Sequence, residues 1–288
     1  MASSDHIRNP AEWGVDQLRT ANQAVERAGH ALRSPTRDAP LPTIRRIEMA
    51  DLKDVLAEGI SDFAAYRTDV MFLCVVYPVA GLLLAWLAFG YDLLQLVLPV
   101  ASGFALIGPV AAVGLYEISR RREQGVDITW ADAFRVVRAP AFGAILVLGL
   151  ALLAILLLWL AAAQAIYLMT LGPEPPASVG AFARDVFTTP AGWAMIVVGM
   201  AVGFLFALLV LTISVVSFPL LLDRDVGLYA AVATSVRAVA TNPGSMAVWG
   251  LIVASALAVG SIPLLLGLIV IMPVLGHATW HLYRKVVA

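Results

Sequence analysis

His277 and His281 stand four residues apart near the end of the last apolar stretch of this 288-residue sequence. On a helix that spacing puts both imidazoles on one face, one turn apart. From that face they are able to chelate one metal ion, but not to ligate a single haem from both of its sides. No Asp, Glu or Cys accompanies them between Pro263 and Tyr283, and Trp280, Tyr283 and Arg284 surround them instead. Packing at a membrane interface is the expected role. No metal site is assigned, His277 and His281 being the weak candidates for one.

The other chemistry-bearing groups are few. Asp223 and Asp225 flank Arg224 and could bind a cation together with Asp127 or Asp132, but an Asp at this place more simply caps the helix that follows. No phosphate-cradling glycine loop, metalloprotease motif or nucleophile elbow occurs. The single cysteine, Cys74, lies in an apolar run, which excludes an intrachain disulfide and a cysteine metal cluster. No catalytic residue and no cofactor is expected, and the chain reads as a non-enzyme.

The elements that carry these residues follow from composition. Hydrophobic residues make up 60% of the chain and charged ones 14%, against about 25% charged in a soluble domain. Long segments carry no charge at all, and about half of the charged side chains precede the first apolar stretch. Six apolar stretches run at about 69–89, 93–118, 141–167, 191–222, 246–260 and 263–283, and a membrane span needs about 20 residues. Residues 246–283 as one helix would extend about 57 Å, far beyond a hydrocarbon core of about 30 Å, so a reversal is expected at Gly260–Pro263.

With six spans and a cytosolic N-terminus, 18 of the 19 Lys and Arg residues fall on the cytosolic side and only Arg184 falls outside. That is a strong positive-inside bias. Arg120, Arg121 and Arg122, which end the second stretch together, are the topology-setting residues.

Three part-polar segments precede the pairs of spans: 49–69, 128–140 and 226–243. They read as amphipathic elbow helices at the interface, and the last two end in proline, "RAP" and "TNP", where a helix breaks. The expected fold is therefore an all-α polytopic membrane bundle of six transmembrane helices with three interfacial elbows. Residues 44–288 form this membrane domain as three elbow-plus-hairpin units. Residues 1–43 form a cytosolic tail with one helix, begun by Asn9 and Pro10, and a proline-rich linker. Trp and Tyr residues near the two boundaries fit aromatic belts. Gly199 and Gly203, in line with Ala207, are helix-packing candidates because small residues four apart let helices approach closely. Pro78, Pro99, Pro109 and Pro273 interrupt spans, as in helices that frame transport sites or as ordinary kinks. No ionisable residue lies well inside a span, which argues against proton-coupled transport.

The segments "GLYEISRRREQG", "FPLLLDRDVGLYAAVATSVRAVATNPGSMAVWG" and "PVLGHATWHLYRKVV" together resemble a bacterial family of predicted integral membrane proteins of unknown function, some of whose members are labelled cytochrome c oxidase subunit I. The resemblance runs from Ile44 to the C-terminus. It implies a helical membrane fold and no defined activity. The oxidase label is not supported by residues, since only two of the four histidines lie in a span.

The expected function is that of a non-catalytic accessory, assembly or membrane-organising component of the bacterial inner membrane, with both termini cytoplasmic. The alternatives are a transporter or channel for a neutral or lipid-like solute, and a subunit of a redox complex. The lipid bilayer is the expected partner, with a membrane protein or further copies of the chain beside it. Nucleic acid is not expected, because the basic residues of the tail are matched by acidic ones.

Overall fold

Hydropathy and helix breakers shape the computed structural model, which describes residues 41–75, 78–83, 86, 93–126, 133, 136–137 and 139–288. The expected tail helix and most of the second elbow lie outside these residues, as does much of the end of the first apolar stretch. Ten helices are named here: α1 (Met49–Cys74), α2 (Val97–Ala111), α3 (Val113–Glu123), α4 (Phe142–Thr170), α5 (Val179–Thr188), α6 (Pro190–Ser214), α7 (Ser217–Asp223), α8 (Leu228–Thr241), α9 (Pro243–Ser261) and α10 (Leu268–Val286). Among the described residues no strand forms beyond one antiparallel bridge, Ile44 with Val287.

Among the described residues, four helical segments are long and apolar enough to cross a membrane: Leu94–Glu123, Phe142–Thr170, Pro190–Asp223 and Pro243–Ser261. They correspond to the second to fifth apolar stretches. The first of them bends where α2 hands over to α3 at Ala112, just after Pro109, whose ring cannot donate to the helix ladder. The third hands over at Val215–Val216, and the Val216 N–H released there donates to Ser235 Oγ at 3.2 Å on α8. Thr212, Ser214 and Ser217 each bond a carbonyl one turn back in the same apolar segment, the local satisfaction expected of hydroxyls at depth.

The sixth stretch becomes α10, which is well enclosed. Leu268, Ala278, Trp280, Leu282 and Tyr283 are fully buried on it. The reversal before it occupies residues 262–267, overlapping the second half of the expected "GSIP" and running four residues past it. Leu264 and Leu265 sit at φ of 51° and 66°, which side chains rarely adopt. Gly260 and Gly267 close the hairpin: a Cβ on Gly267 would lie 2.7 Å from the Gly260 backbone.

The first part-polar segment is not a separate elbow. It is the larger, N-terminal part of α1, which continues unbroken to Cys74. Leu52, Val55 and Asp62 are buried along one stripe of it, with Gly59 between them at helical spacing. That stripe lies antiparallel on α10. A Cβ on Gly59 would stand 2.7 Å from Ala278 N, so the two backbones touch where neither side chain is larger than a methyl group. The third expected elbow is α8, which ends at Asn242 before Pro243 opens α9.

The two ends of the described membrane domain are stitched together. Arg45 N–H donates to Val286 O at 2.8 Å, and Ala288 N–H donates to Thr43 O at 3.0 Å. Asn242 joins them, accepting from Ile47 N–H at 2.8 Å and donating to Arg45 O at 3.1 Å. The face of the bundle at which these ends meet is called the terminal face below. Across the bundle from it, the connection before α6 holds a helix that span counting does not foresee. In α5 the Ser178 hydroxyl caps Ala181 N–H, and Gly192 on α6 admits the Asp185 and Val186 carbonyls where a Cβ would clash.

Several aromatic residues lie in the core rather than in boundary belts. Trp159, Trp249, Trp280, Tyr116, Tyr167 and Tyr283 are all buried, whereas Trp86, Trp193 and Tyr229 are exposed. Polar partners within the bundle account for part of this. Trp159 Nε1–H, for example, reaches Ser102 Oγ at 3.1 Å. By contrast Val197, Met200, Phe204 and Leu205 on α6 are more than half exposed, the surface that hydrocarbon covers in a membrane.

Candidate functional site

Three helices deliver polar residues to one place at the terminal face. On α1, Glu58, Ser61 and Asp62 share a face. On α3, Ser119, Arg122 and Glu123 do so, and on α10 His277, Trp280, His281 and Arg284. Each set is spaced at threes and fours, the separation of neighbours on a helix surface. The antiparallel register set by Gly59 against Ala278 brings the three sets together.

Asp62 is the hub. Its Oδ1 accepts from Arg122 Nη1 and its Oδ2 from Ser119 Oγ, and His281 Nε2 lies 2.9 Å from Oδ2. Ser119 Oγ is 2.8 Å from His277 Nδ1. A carboxylate only accepts, so the single serine proton goes to Asp62, and His277 must donate from Nδ1 to the serine oxygen. His277 Nε2 then carries a lone pair and has no partner among the described residues, and the ring is fully buried. The remaining bonds spread outward. Arg122 Nη2 donates to Ser61 Oγ at 3.3 Å, Trp280 Nε1–H to Glu123 Oε1 at 3.0 Å, and Tyr283 OH to Asp223 Oδ2 at 2.7 Å. His281 Nδ1 lies 3.2 Å from Glu58, Arg284 pairs with Glu123 at 3.3 Å, and Lys285 pairs with Asp54 at 3.3 Å.

Burial is the largest single influence on the Asp62 carboxyl and opposes its charge. The hydrogen bonds of His281 and Ser119 lead the influences that outweigh it and hold the group below the usual carboxylate range. A folded-state value below the unfolded one stabilises the fold above the unfolded value, about pH 4, and that contribution is lost as pH falls through the folded value. The Asp62 contribution to the thermal midpoint in detergent should be constant from about pH 5 to 7 and decline below about pH 4. Asp62→Asn should lack that part of the acid decline. Equal acid slopes in the two proteins would show that Asp62 carries none of it.

A cavity of about 550 Å³ opens beside this hub, lined by Arg45, Arg122, Arg284 and Lys285, by Glu58, Asp62 and Glu123, and by Ser61 and His281. Ser, His and Asp together suggest nucleophilic chemistry, but the order is wrong for it. In a hydrolase triad the imidazole stands between hydroxyl and carboxylate, whereas here the hydroxyl stands between the other two. Ser119 is also fully buried, so no substrate reaches its oxygen. Among the described residues no group of three or more His, Cys, Asp or Glu side chains is arranged to hold a metal ion. The two histidines are instead bonded to different partners. The arrangement binds helices to one another and leaves a charged pocket open.

The three arginines separate. Arg122 turns to Asp62, whereas Arg120 and Arg121 both clasp the buried Glu117, through Nε at 2.8 Å and 2.9 Å. Asp223 does not cap α8, whose N-cap is Gly227 without a side-chain bond. It receives Tyr283 and Arg284 instead, because the C-terminal end of α10 lies against it. Of the glycine pair, a Cβ on Gly203 would lie 3.1 Å from the Trp159 ring, while a Cβ on Gly199 would meet nothing within 4 Å among the described residues. Asp62, Ser119 and Glu58 are the site residues that sequence reading misses. Their only local signal is the position of Asp62 on the same stripe as Leu52 and Val55.

Residues 97–223 match the family model described as predicted integral membrane protein (DUF2189). The match runs from the start of α2 to the end of α7, and so contains Ser119 to Glu123 but neither α1 nor α10. It is to the kind of family that the sequence resembles, an integral membrane family of unknown function. No curated protein and no solved structure matches the chain. The chain is a multi-pass integral membrane protein in contact with the lipid bilayer.

Proposed function

We propose that the chain is a non-catalytic component of the bacterial inner membrane that holds or helps assemble another complex, or organises lipid. The observation that supports this is the closed state of the Asp62 cluster. The Ser119 hydroxyl is inaccessible, and the Asp62 carboxylate is saturated by three side chains from two other helices. Such a cluster rigidifies the terminal face and spends its polar groups on the fold rather than on a reaction. The charged cavity next to it is then a surface for a partner.

Native mass spectrometry of the protein ejected from its own membranes tests this reading. A stoichiometric protein or lipid mass is expected. A bare monomer would count against a scaffold and for solute transport, and a haem mass would turn the assignment to a redox subunit.

The terminal face is cytoplasmic in this reading, supported by the 18 to 1 division of Lys and Arg. The bond from Arg45 N–H to Val286 O, which joins the two ends of the described membrane domain, supports an even number of crossings. A reporter fused after Ala288 should read cytosolic and one inserted near Pro175 external. The same side for both would remove the six-span topology.

A further inference from the structure

A second cleft at the terminal face lies away from the Asp62 cluster. It encloses about 310 Å³ between the end of α3, the residues Val136, Ala139 and Pro140 that precede α4, and the end of α7. Glu117, Arg120 and Arg121 form its polar side, and Val136, Ala139, Pro140 and Leu222 form its apolar side. Glu117 is almost fully buried, and both of its oxygens are used. Oε2 accepts from Arg120 Nε at 2.8 Å, and Oε1 accepts from Arg120 Nη2 at 3.2 Å and Arg121 Nε at 2.9 Å. Those bonds fix the Arg120 guanidinium in a bidentate fork while its Nη1 takes no part in them. The side chain remains 28% exposed at the cleft. Arg121 has a further interaction besides Glu117, so an incoming anion falls to Arg120.

We infer that this cleft is a binding site for the phosphodiester of an anionic phospholipid. Three features converge on that chemistry. A guanidinium whose orientation is already set loses little freedom on binding an oxyanion and offers it directed N–H donors. The cleft lies where the apolar helix Leu94–Glu123 reaches its arginines, the level of lipid headgroups. The facing wall of Val136, Ala139, Pro140 and Leu222 suits the glycerol and upper acyl chain, and would waste contact area on a free phosphate. The site stands whether the chain is a scaffold or a transporter.

The test uses the full chain in nanodiscs of phosphatidylglycerol and phosphatidylcholine, followed by native mass spectrometry. The wild-type protein should retain phosphatidylglycerol in preference to phosphatidylcholine. Arg120→Gln should reduce that retention about fivefold, the worth of one interfacial cation. If Arg120→Gln does not fold, Ala139→Asp keeps the Glu117 clasp and places a negative charge in the cleft, with the same loss expected. Unchanged retention in a folded variant overturns the site. Displacement of the lipid by inorganic phosphate also overturns it, because the ligand would then be a soluble anion.

Discussion

Asp62→Asn should destabilise the protein by about 3 kcal/mol, read as the loss of unfolding free energy in a detergent or mixed-micelle denaturation. The asparagine keeps the shape of the side chain and removes the charge. Arg122 then faces a neutral amide, and the NH2 group meets either Arg122, if it takes the Oδ1 position, or both Ser119 and His281, if it takes the Oδ2 position. In the second orientation the serine proton has nowhere equivalent to go, so the bond from His277 to Ser119 is disturbed as well. Breaking one member of a buried charged network leaves the others desolvated and unpaired, which is why the loss exceeds that of a surface ion pair by several-fold. A change below about 1 kcal/mol would show that the cluster is no more than a surface contact.

Gly59→Val should have an effect of similar size, about 3 kcal/mol, by a different route. A Cβ at position 59 would lie 2.7 Å from Ala278 N and 2.8 Å from Ala278 Cα. Those atoms belong to a helix backbone and cannot swing aside as a side-chain end can. Helix α1 must therefore move off α10, and the Asp62 bonds to His281 and Ser119 lengthen with it. Gly199→Ala is the matched control. Its Cβ meets nothing within 4 Å among the described residues, and alanine favours a helix by up to about 1 kcal/mol over glycine. That variant should be neutral or slightly more stable. Equal losses at the two glycines would mean that the close approach of α1 and α10 is not what position 59 protects.

The apolar stretches were legible because composition alone carries them. Residues 141–167 and 191–222 are too long and too poorly charged to be anything but lipid-facing or buried helices, and α4 and α6 follow. The third elbow was legible from its proline, since "TNP" stops α8 at Asn242. The first was misjudged for the complementary reason. The segment from Met49 to Cys74 contains no proline, and its one glycine sits at a packing contact, so nothing ends the helix between polar and apolar halves.

The polar cluster was half legible. His277 and His281 declare themselves by their spacing, yet within their own stretch they have no acidic partner. Asp62 lies 219 residues from His281, and local periodicity does not state which residue of α1 faces which residue of α10. That register depends on a backbone contact at Gly59, a residue with no side chain to advertise it. The positive run at Arg120 to Arg122 was legible as a topology signal. Its division into one arginine for Asp62 and two for Glu117 was not, because it follows from the rotation of α3 against its neighbours.

A double-mutant cycle between Asp62→Asn and His281→Gln tests most directly whether the terminal face is held by one cooperative cluster. The unfolding free energies of the wild type, both single variants and the double variant would be measured in the same micelles. Cooperative clamping predicts a coupling energy above about 1 kcal/mol, the double variant losing clearly less than the sum of the singles. Additivity within about 0.5 kcal/mol would contradict it, and would mean that α1 and α10 are joined by packing alone.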